Sequence, residues 1–510
     1  MKVKPVAVSS ASNLLLYSAN LTVTYFLSPE LVRALGNARY GLWEIVLSFA
    51  GYLGVLDLGV SPAIVRYVAR LRADNNDKAL QAVVSSGIVA LALAGAVSML
   101  AMTALAFFPQ LASSSGPDAS RGWSTAALCV GAMLLVQFPG SMFSAFLMGQ
   151  QRYLAVNVCR VVVTILRMFA ILYGLRCVTV DPLVWLAVIT LLSTCVEFTA
   201  LAFLAVRSAP APFFLWAARS GATLRALVKF GINSAFLMAA QRLVFMSAPI
   251  VIAHSLGTAM VVFFSIPSRL ATYTNGIAIA LGGPLMPYFS AKSCEVPERI
   301  QDAWISVTRA IQSVSLITPI ALLLVGPPFI TLWMGPEYGR ASSRILPYLC
   351  FAQLVEGISP HSVTYLVGQA KHARLFRFNL VAAILGVVAT VLLVKGIGLP
   401  GVAVAILAYM TATRVYAMRQ ACDDLGISIY SHLRRTIVRH LPALAVFSAI
   451  LLIGRLACPV ASYSAIIVLL TASTLGYVAC AFASSLTPDE RGQLLSTIGW
   501  RRQRFPGGSR

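Results

Sequence analysis

Residues 35–78 read LGNARYGLWEIVLSFAGYLGVLDLGVSPAIVRYVARLRADNNDK, and this stretch decides the class of fold. A short polar approach leads at Tyr40 into a long apolar run that exits through Arg66, Arg70 and Arg72. Crossing a bilayer takes about 20 apolar residues, which the run supplies. Inside it stands an acid, Asp57, between Leu56 and Leu58. A charge at that depth costs roughly 2.5–3.5 kcal/mol on insertion scales, so Asp57 must face protein or water rather than lipid. The stretch therefore predicts a membrane helix with a polar inner face.

Composition extends this reading to the whole chain. Of 510 residues 58% are hydrophobic and only 11% charged, with a mean hydropathy of +0.82; soluble domains carry about 25% charged residues. The net charge of +22 does not point to nucleic acid, because no basic run with interleaved aromatics stands outside the apolar spans. Lys and Arg enrichment in the loops of a membrane protein accounts for it. Nine cysteines are scattered without a CxxC pair, which reads as apolar filling rather than a metal site or a disulfide framework.

Outward from the opening stretch, which is span two, the other spans fall in order. Span one covers about 9–28 and is read as retained, with its N-terminus inside, because no small-x-small cleavage site follows Lys2 and Lys4. Spans three to six cover about 80–108, 123–148, 154–175 and 183–206. The stretch 208–229 sets Phe213, Phe214, Leu215 and Trp216 beside Arg219, Arg225 and Lys229, a pattern suited to an amphipathic helix in the membrane interface. Spans seven to twelve fall near 230–254, 259–289, 305–326, 344–367, 377–395 and 399–418, and thirteen and fourteen near 441–457 and 463–484. The expected fold is thus an all-α integral membrane protein of about 14 transmembrane helices. Residues 1–207 form one six-helix lobe, 208–229 a linker, 230–420 a second lobe, 421–486 a terminal helix pair and 487–510 a basic tail.

Charge orients the chain. Of the 39 Lys and Arg, 27 fall in segments on the side of the N-terminus and 8 in the opposite loops, which places both termini in the cytoplasm. The remaining four, Arg167, Arg242, Arg269 and Arg309, lie inside spans. An internal repeat accompanies this topology. LGNARYGLW at 35–43 aligns with LGTAMVVFF at 256–264, SPAIVRYVAR at 61–70 with GGPLMPYFSAK at 282–292, and Gly149-Gln150-Gln151-Arg152 with Gly368-Gln369-Ala370-Lys371, all at offsets near 220. An even, six-span repeat relates the lobes by a pseudo-two-fold axis along the membrane normal, an arrangement that places a substrate site between them.

Residues 40–70, YGLWEIVLSFAGYLGVLDLGVSPAIVRYVAR, resemble the N-terminal signature of the polysaccharide transporter family, the Wzx-type oligosaccharide flippases of the MATE/MOP superfamily. ITLWMGPEYGRASSRILPYL at 330–349 resembles that family's loop between spans nine and ten, and the span count and repeat agree over essentially the whole chain. The resemblance implies a bacterial cytoplasmic-membrane protein that carries an undecaprenyl-pyrophosphate-linked oligosaccharide to the outer leaflet, for O-antigen or exopolysaccharide synthesis. A polysaccharide polymerase and a chain-length co-polymerase are the implied pathway partners, beside the membrane lipids and the lipid-linked oligosaccharide itself. Many relatives carry an acid in span seven where Met246 and Ser247 stand here, so no coupling acid transfers to that position.

The residue chemistry points the same way. A lipid pyrophosphate needs fixed positive charge on its path, and the planar fork of arginine donates two hydrogen bonds to phosphate at once. Arg242, after Gln241 in span seven, and Arg269 in span eight are the foremost candidates, since the first two spans of each lobe line the cleft in related transporters. Arg66, at the end of span two, either meets the headgroup or anchors the helix. For all four intramembrane arginines the competing reading is a structural pair with an acid such as Glu197 or Glu356, and this is favoured for Arg167 and Arg309. Asp57 could bind a proton or Na⁺, pair with an arginine, or cap the break before Gly59 and Pro62; a structural or pairing role is favoured. Glu44 is expected to be wet near the outer end of span two, and His254 and His361 to be polar anchors. Tyr40, Trp43, Asn233, Gln241 and Tyr273 are candidate sugar contacts. No cofactor is expected; H⁺ and Na⁺ are the candidates for a coupling ion. Other transporters of this architecture, for lipid II or for drugs and ions, are the alternative, although a drug exporter should prefer an acidic or neutral cavity. A membrane polymerase or ligase is disfavoured by the short outer loops. The absence of GxxxxGK[ST] argues against an ATP-driven pump.

Overall fold

The computed structural model describes residues 3–108, 122–177, 179–209, 213–276, 297–369, 371, 373–457 and 460–484, and all their regular structure is helical. The helices are α1 Val3–Leu53, α2 Val60–Ala73, α3 Asp77–Ala106, α4 Trp123–Gly149, α5 Tyr153–Cys177, α6 Pro182–Ser208, α7 Gly221–Leu256 and α8 Ala259–Thr274. Then come α9 Pro297–Ser315, α10 Ile317–Met334, α11 Pro336–Ile358, α12 Ser362–Gly368, α13 Ala373–Ile397, α14 Leu399–Asp424, α15 Ile429–Arg435, α16 Ile437–Ala457 and α17 Tyr463–Ser484.

Glycine conformations divide the chain into passes. As one rod the 51 residues of α1 would reach about 77 Å, against a hydrocarbon core of about 30 Å. Gly36 breaks it with φ 72° and ψ 165°, a region open essentially to glycine alone. Gly257, 221 residues later, joins α7 to α8 at φ 92° and ψ 154°. The aligned sequences thus build the same reversal twice. The aligned Gly-Gln segments also match: Arg152 N–H donates to Leu147 C=O and Lys371 N–H to Leu366 C=O, closing two helix ends in the same way. The remaining aligned pair cannot be compared, because 282–292 lies outside the described residues.

Ten described helices are long and apolar enough to cross a membrane, or up to eleven if the bent α1–α2 pair counts as one span, against the expected 14. Two physical reasons account for much of the difference. Only 259–276 of the expected span eight is described. The expected span ten, 344–367, falls on α11 and α12, and α11 carries Arg340, Arg344 and Glu356 and is too polar to pass on hydropathy. The linker also differs. Within 208–229 a 3₁₀ turn at Trp216–Ala218 is followed by α7 from Gly221, so the second half of that stretch extends a span instead of lying along the interface. Ser220 caps this start by accepting from Thr223 N–H at 3.3 Å. The tail at 487–510 lies outside the described residues.

Packing is mostly within two sets. Helices α1–α6 contact one another, while α7, α8, α11, α13 and α14 form the second set, with α16 and α17 set against α10. The sets meet where α1 and α2 cross α7 and α8. Span two is broken there: after a 3₁₀ turn at Gly54–Asp57, Leu58 and Gly59 adopt left-handed conformations and α2 leaves at 41°.

At one end of the loops, Arg39 beside the Gly36 reversal pairs with Asp181, which caps α6 through the N–H groups of Leu183 and Val184. Burial pushes the Asp181 carboxyl up, but the Arg39 bond and these N–H donors outweigh it and hold the group below its ordinary value. On α15 the fully buried His432 ring stacks on Trp304 of α9 at 4.4 Å. Burial pushes its pKa down to about 4. A free histidine takes up its proton near 6.5, so the unfolded chain binds more protons between that pH and 4 and the fold loses stability as pH falls through this window. Thermal unfolding in detergent should show a loss of at most about 3 kcal/mol from this group between pH 7 and pH 4. His432→Phe should flatten that slope; an unchanged slope would show that other groups set it.

Candidate functional site

At the seam a cavity of about 730 Å³ opens between α1, α7, α8, α11 and α14, within the usual range of ligand pockets. Helical periodicity aims the lining. On α7 it is Met238, Gln241, Arg242, Phe245, Met246 and Pro249, and on α8 Phe264, Ser265, Ser268, Arg269, Thr272 and Tyr273. Both sets follow steps of three and one, a single stripe down one helix face. Glu44 and Ser48 enter from α1, Gln353 and Glu356 from α11, and Arg414 from α14.

The charged groups are arranged unequally. Arg269 Nη2 donates to Glu44 Oε1 at 2.6 Å and Nη1 to the Tyr40 hydroxyl at 3.4 Å. Arg414 forms an ion pair with Glu356. Arg242 makes no ion pair among the described residues; its Nη1 donates to the Gly51 carbonyl at 2.9 Å, and its charge acts on Asp57. Three arginines against two glutamates leave the lining cationic. Positive charge lining a cavity suits a phosphate ester, whose oxygens accept the paired N–H groups of a guanidinium. A smaller apolar recess of about 350 Å³, walled by Tyr25, Phe26, Leu270, Phe329 and Trp333, shares Tyr273 with the cavity.

The structure brings Arg242, Arg269, Gln241, Glu356 and Tyr273 together on this cavity and leaves Arg66, Asp57, Glu197, Arg167 and Arg309 off its lining. Arg66 is exposed on α2. Asp57 accepts from Ser61 N–H at 3.2 Å and Ser61 Oγ at 2.9 Å, so it caps the restart of span two. Glu197 of α6 accepts from Arg160 Nε at 3.1 Å and acts on Arg167 of the same α5, a separate cluster. Arg309 lies on α9 against His440 of α16. The Asn233 side chain lies outside the described residues. Trp43 packs in the core and Tyr40 is buried behind Arg269, which leaves Tyr273 and Gln241 as lining groups. His254 is exposed near the end of α7, whereas His361 is buried before α12.

Three readings of the sequence are corrected. Glu44 is not wet: it is 8% exposed because Arg269 neutralises it. The charge count places Arg160 in a loop segment at 152–160 and Arg414 in one at 414–439, but both lie within helices, since α5 begins at Tyr153 and α14 runs on to Asp424. Arg414 was findable by one signal, a basic residue within the apolar run 399–418, but its partner Glu356 is remote in sequence and only the fold joins them.

The fold has known counterparts. An inward-facing multidrug resistance MATE family transporter of the MOP superfamily matches with a TM-score of 0.64 and 15% identity, covering 82% of this chain and 98% of its own. A MOP superfamily transporter from Pyrococcus furiosus, described as having a binding pocket of reversed polarity, matches with a TM-score of 0.64 and 15% identity over 83% of this chain and 96% of its own. A eukaryotic MATE transporter gives 0.62 and 14% over 83% and 98%. No curated protein matches the sequence. The sequence pattern of one family does: "polysaccharide biosynthesis protein" matches residues 6–292. With that match over more than half of its length, and with the all-helical MOP fold around a cationic cavity, the chain belongs to the polysaccharide biosynthesis protein family.

Proposed function

We propose that the protein is a flippase that moves an undecaprenyl-pyrophosphate-linked oligosaccharide repeat unit across the bacterial cytoplasmic membrane by alternating access between its two sets of helices. The observation that carries this reading is the cavity bearing Arg242, Arg269 and Arg414 at the seam between those sets, in a chain of a polysaccharide biosynthesis family. Arg242, free of a carboxylate within ion-pair distance among the described residues, is the first contact for a diphosphate. Arg269 and Arg414 are held by Glu44 and Glu356, and a diphosphate of higher charge competes for both. Both pairs re-form when the substrate leaves, which resets the site for the next cycle. Tyr273 offers an aromatic face at the border with the apolar recess, where the lipid-borne end of the substrate stays in apolar surroundings. With the interior negative, outward movement of the anion is favoured by roughly 2.3 kcal/mol per charge per 100 mV.

The test is transport of a fluorescent undecaprenyl-pyrophosphate oligosaccharide in proteoliposomes. Arg242→Gln removes the charge without leaving a carboxylate unpaired, so its fold should survive. A charge-assisted bond is worth about 1.5–3 kcal/mol, and transport should fall about 10- to 100-fold. Unchanged transport by a folded Arg242→Gln protein would remove the anion site from this cavity, and chain growth without flipping would assign the protein to polymerisation.

A further inference from the structure

We infer that the exposed faces of α15 and α16 form a binding site for the phosphate headgroup of an anionic phospholipid. Tyr430, Ser431, Arg434, Arg435, Val438 and Arg439 surround a surface cavity of about 610 Å³, separate from the one at the seam. The pattern runs through the break at Thr436. Tyr430, Arg434 and Val438 recur every fourth residue on the outer face, and His432, Thr436 and His440 do so on the buried face. Stacking of His432 on Trp304 fixes which side of α15 turns outward, and with it the guanidinium groups of Arg434 and Arg435; Arg439 joins them from the first turn of α16.

Position identifies the ligand. The 21 residues of α16 rise about 31 Å, one hydrocarbon thickness, so arginines at its start lie level with one headgroup layer. Below them the same helix exposes Leu441, Val446, Leu452 and Ile453. A charged pocket that continues directly into a lipid-facing apolar stripe matches a phosphate head joined to acyl chains. Among the described residues, Asp424 is engaged by Lys371 and Asp423 by Arg419. A free phosphate would use the arginines and leave the stripe without a role.

The test compares the purified full chain with Arg434→Gln/Arg435→Gln/Arg439→Gln in detergent micelles doped with phosphatidylglycerol, with phosphatidylcholine, or with inorganic pyrophosphate alone. Bound lipid is counted by native mass spectrometry and stability by thermal unfolding. Near a surface each basic residue contributes about fivefold in lipid affinity, so the triple variant should bind the anionic lipid on the order of a hundredfold more weakly. The unfolding temperature of Arg434→Gln in phosphatidylcholine should match wild type. Arg434→Gln alone, with about a fivefold loss, serves if the triple variant does not fold. Equal affinity of variant and wild type for phosphatidylglycerol would overturn the inference. Stabilisation of wild type by pyrophosphate equal to that by phosphatidylglycerol, and lost in the triple variant although its seam cavity is intact, would also overturn it and make this a soluble-anion site.

Discussion

Gly59→Val is expected to destabilise the fold by about 3–4 kcal/mol and to abolish substrate movement. Two costs combine. Gly59 holds φ +70°, and a side chain in the left-handed region costs about 1–2 kcal/mol. A Cβ there would also stand 2.4 Å from the Gly231 carbonyl oxygen, and one on Gly231 would stand 2.4 Å from the Gly59 carbonyl oxygen. Both obstacles are backbone, so neither can swing aside, and overpacking adds about 1–3 kcal/mol. The affected contact is the crossing of broken span two with α7, where the two sets of helices meet. Gly426→Val is the control. Gly426 closes α14 at a similar φ of +68°, with Ile427 N–H donating to Cys422 C=O, but a Cβ added to it would meet nothing within 4 Å, so only the strain applies. Thermal unfolding of the two variants should separate by a few degrees; equal losses would show that the Gly59–Gly231 approach is not tight in solution.

The second large effect concerns the Glu44–Arg269 pair. Arg269→Gln leaves Glu44, 8% exposed, without its cation. Breaking a fully buried pair costs about 3–5 kcal/mol. The Arg269 side chain is 36% exposed to the cavity, and solvent screening brings the expected cost down to about 2 kcal/mol. Glu44→Gln/Arg269→Gln should recover most of that stability, because no charge is then stranded. Transport should stay low in both variants, since both lack the cation. A double mutant as unstable as Arg269→Gln would show that Arg269 acts through packing. Recovery of transport in the double mutant would move the anion site to Arg242 and Arg414.

The seam also explains why the site is only half legible in the sequence. Arg242 and Arg269 stand out because each interrupts an apolar run, and a charge in lipid demands a reason. Asp57 stands out on the same ground, yet it caps α2 through Ser61. Burial cost reveals that a residue is special without saying whether its partner is a ligand or a neighbouring backbone. Arg167 and Arg309 show the same limit, since they satisfy the same rule and stand away from the cavity.

What the sequence determined by itself was the membrane class, most helix positions and the repeat whose two copies carry the reversals at Gly36 and Gly257. These follow from local properties, namely hydrophobic run length and the recurrence of one residue type at a fixed offset. The tertiary structure alone decided which charges meet. Glu44 lies 225 residues from Arg269, and Glu356 and Arg414 belong to different helices. Ion pairing depends on distance in space, and the rotation and tilt that bring two helix faces together are settled by side-chain packing along their whole length, which no local pattern records.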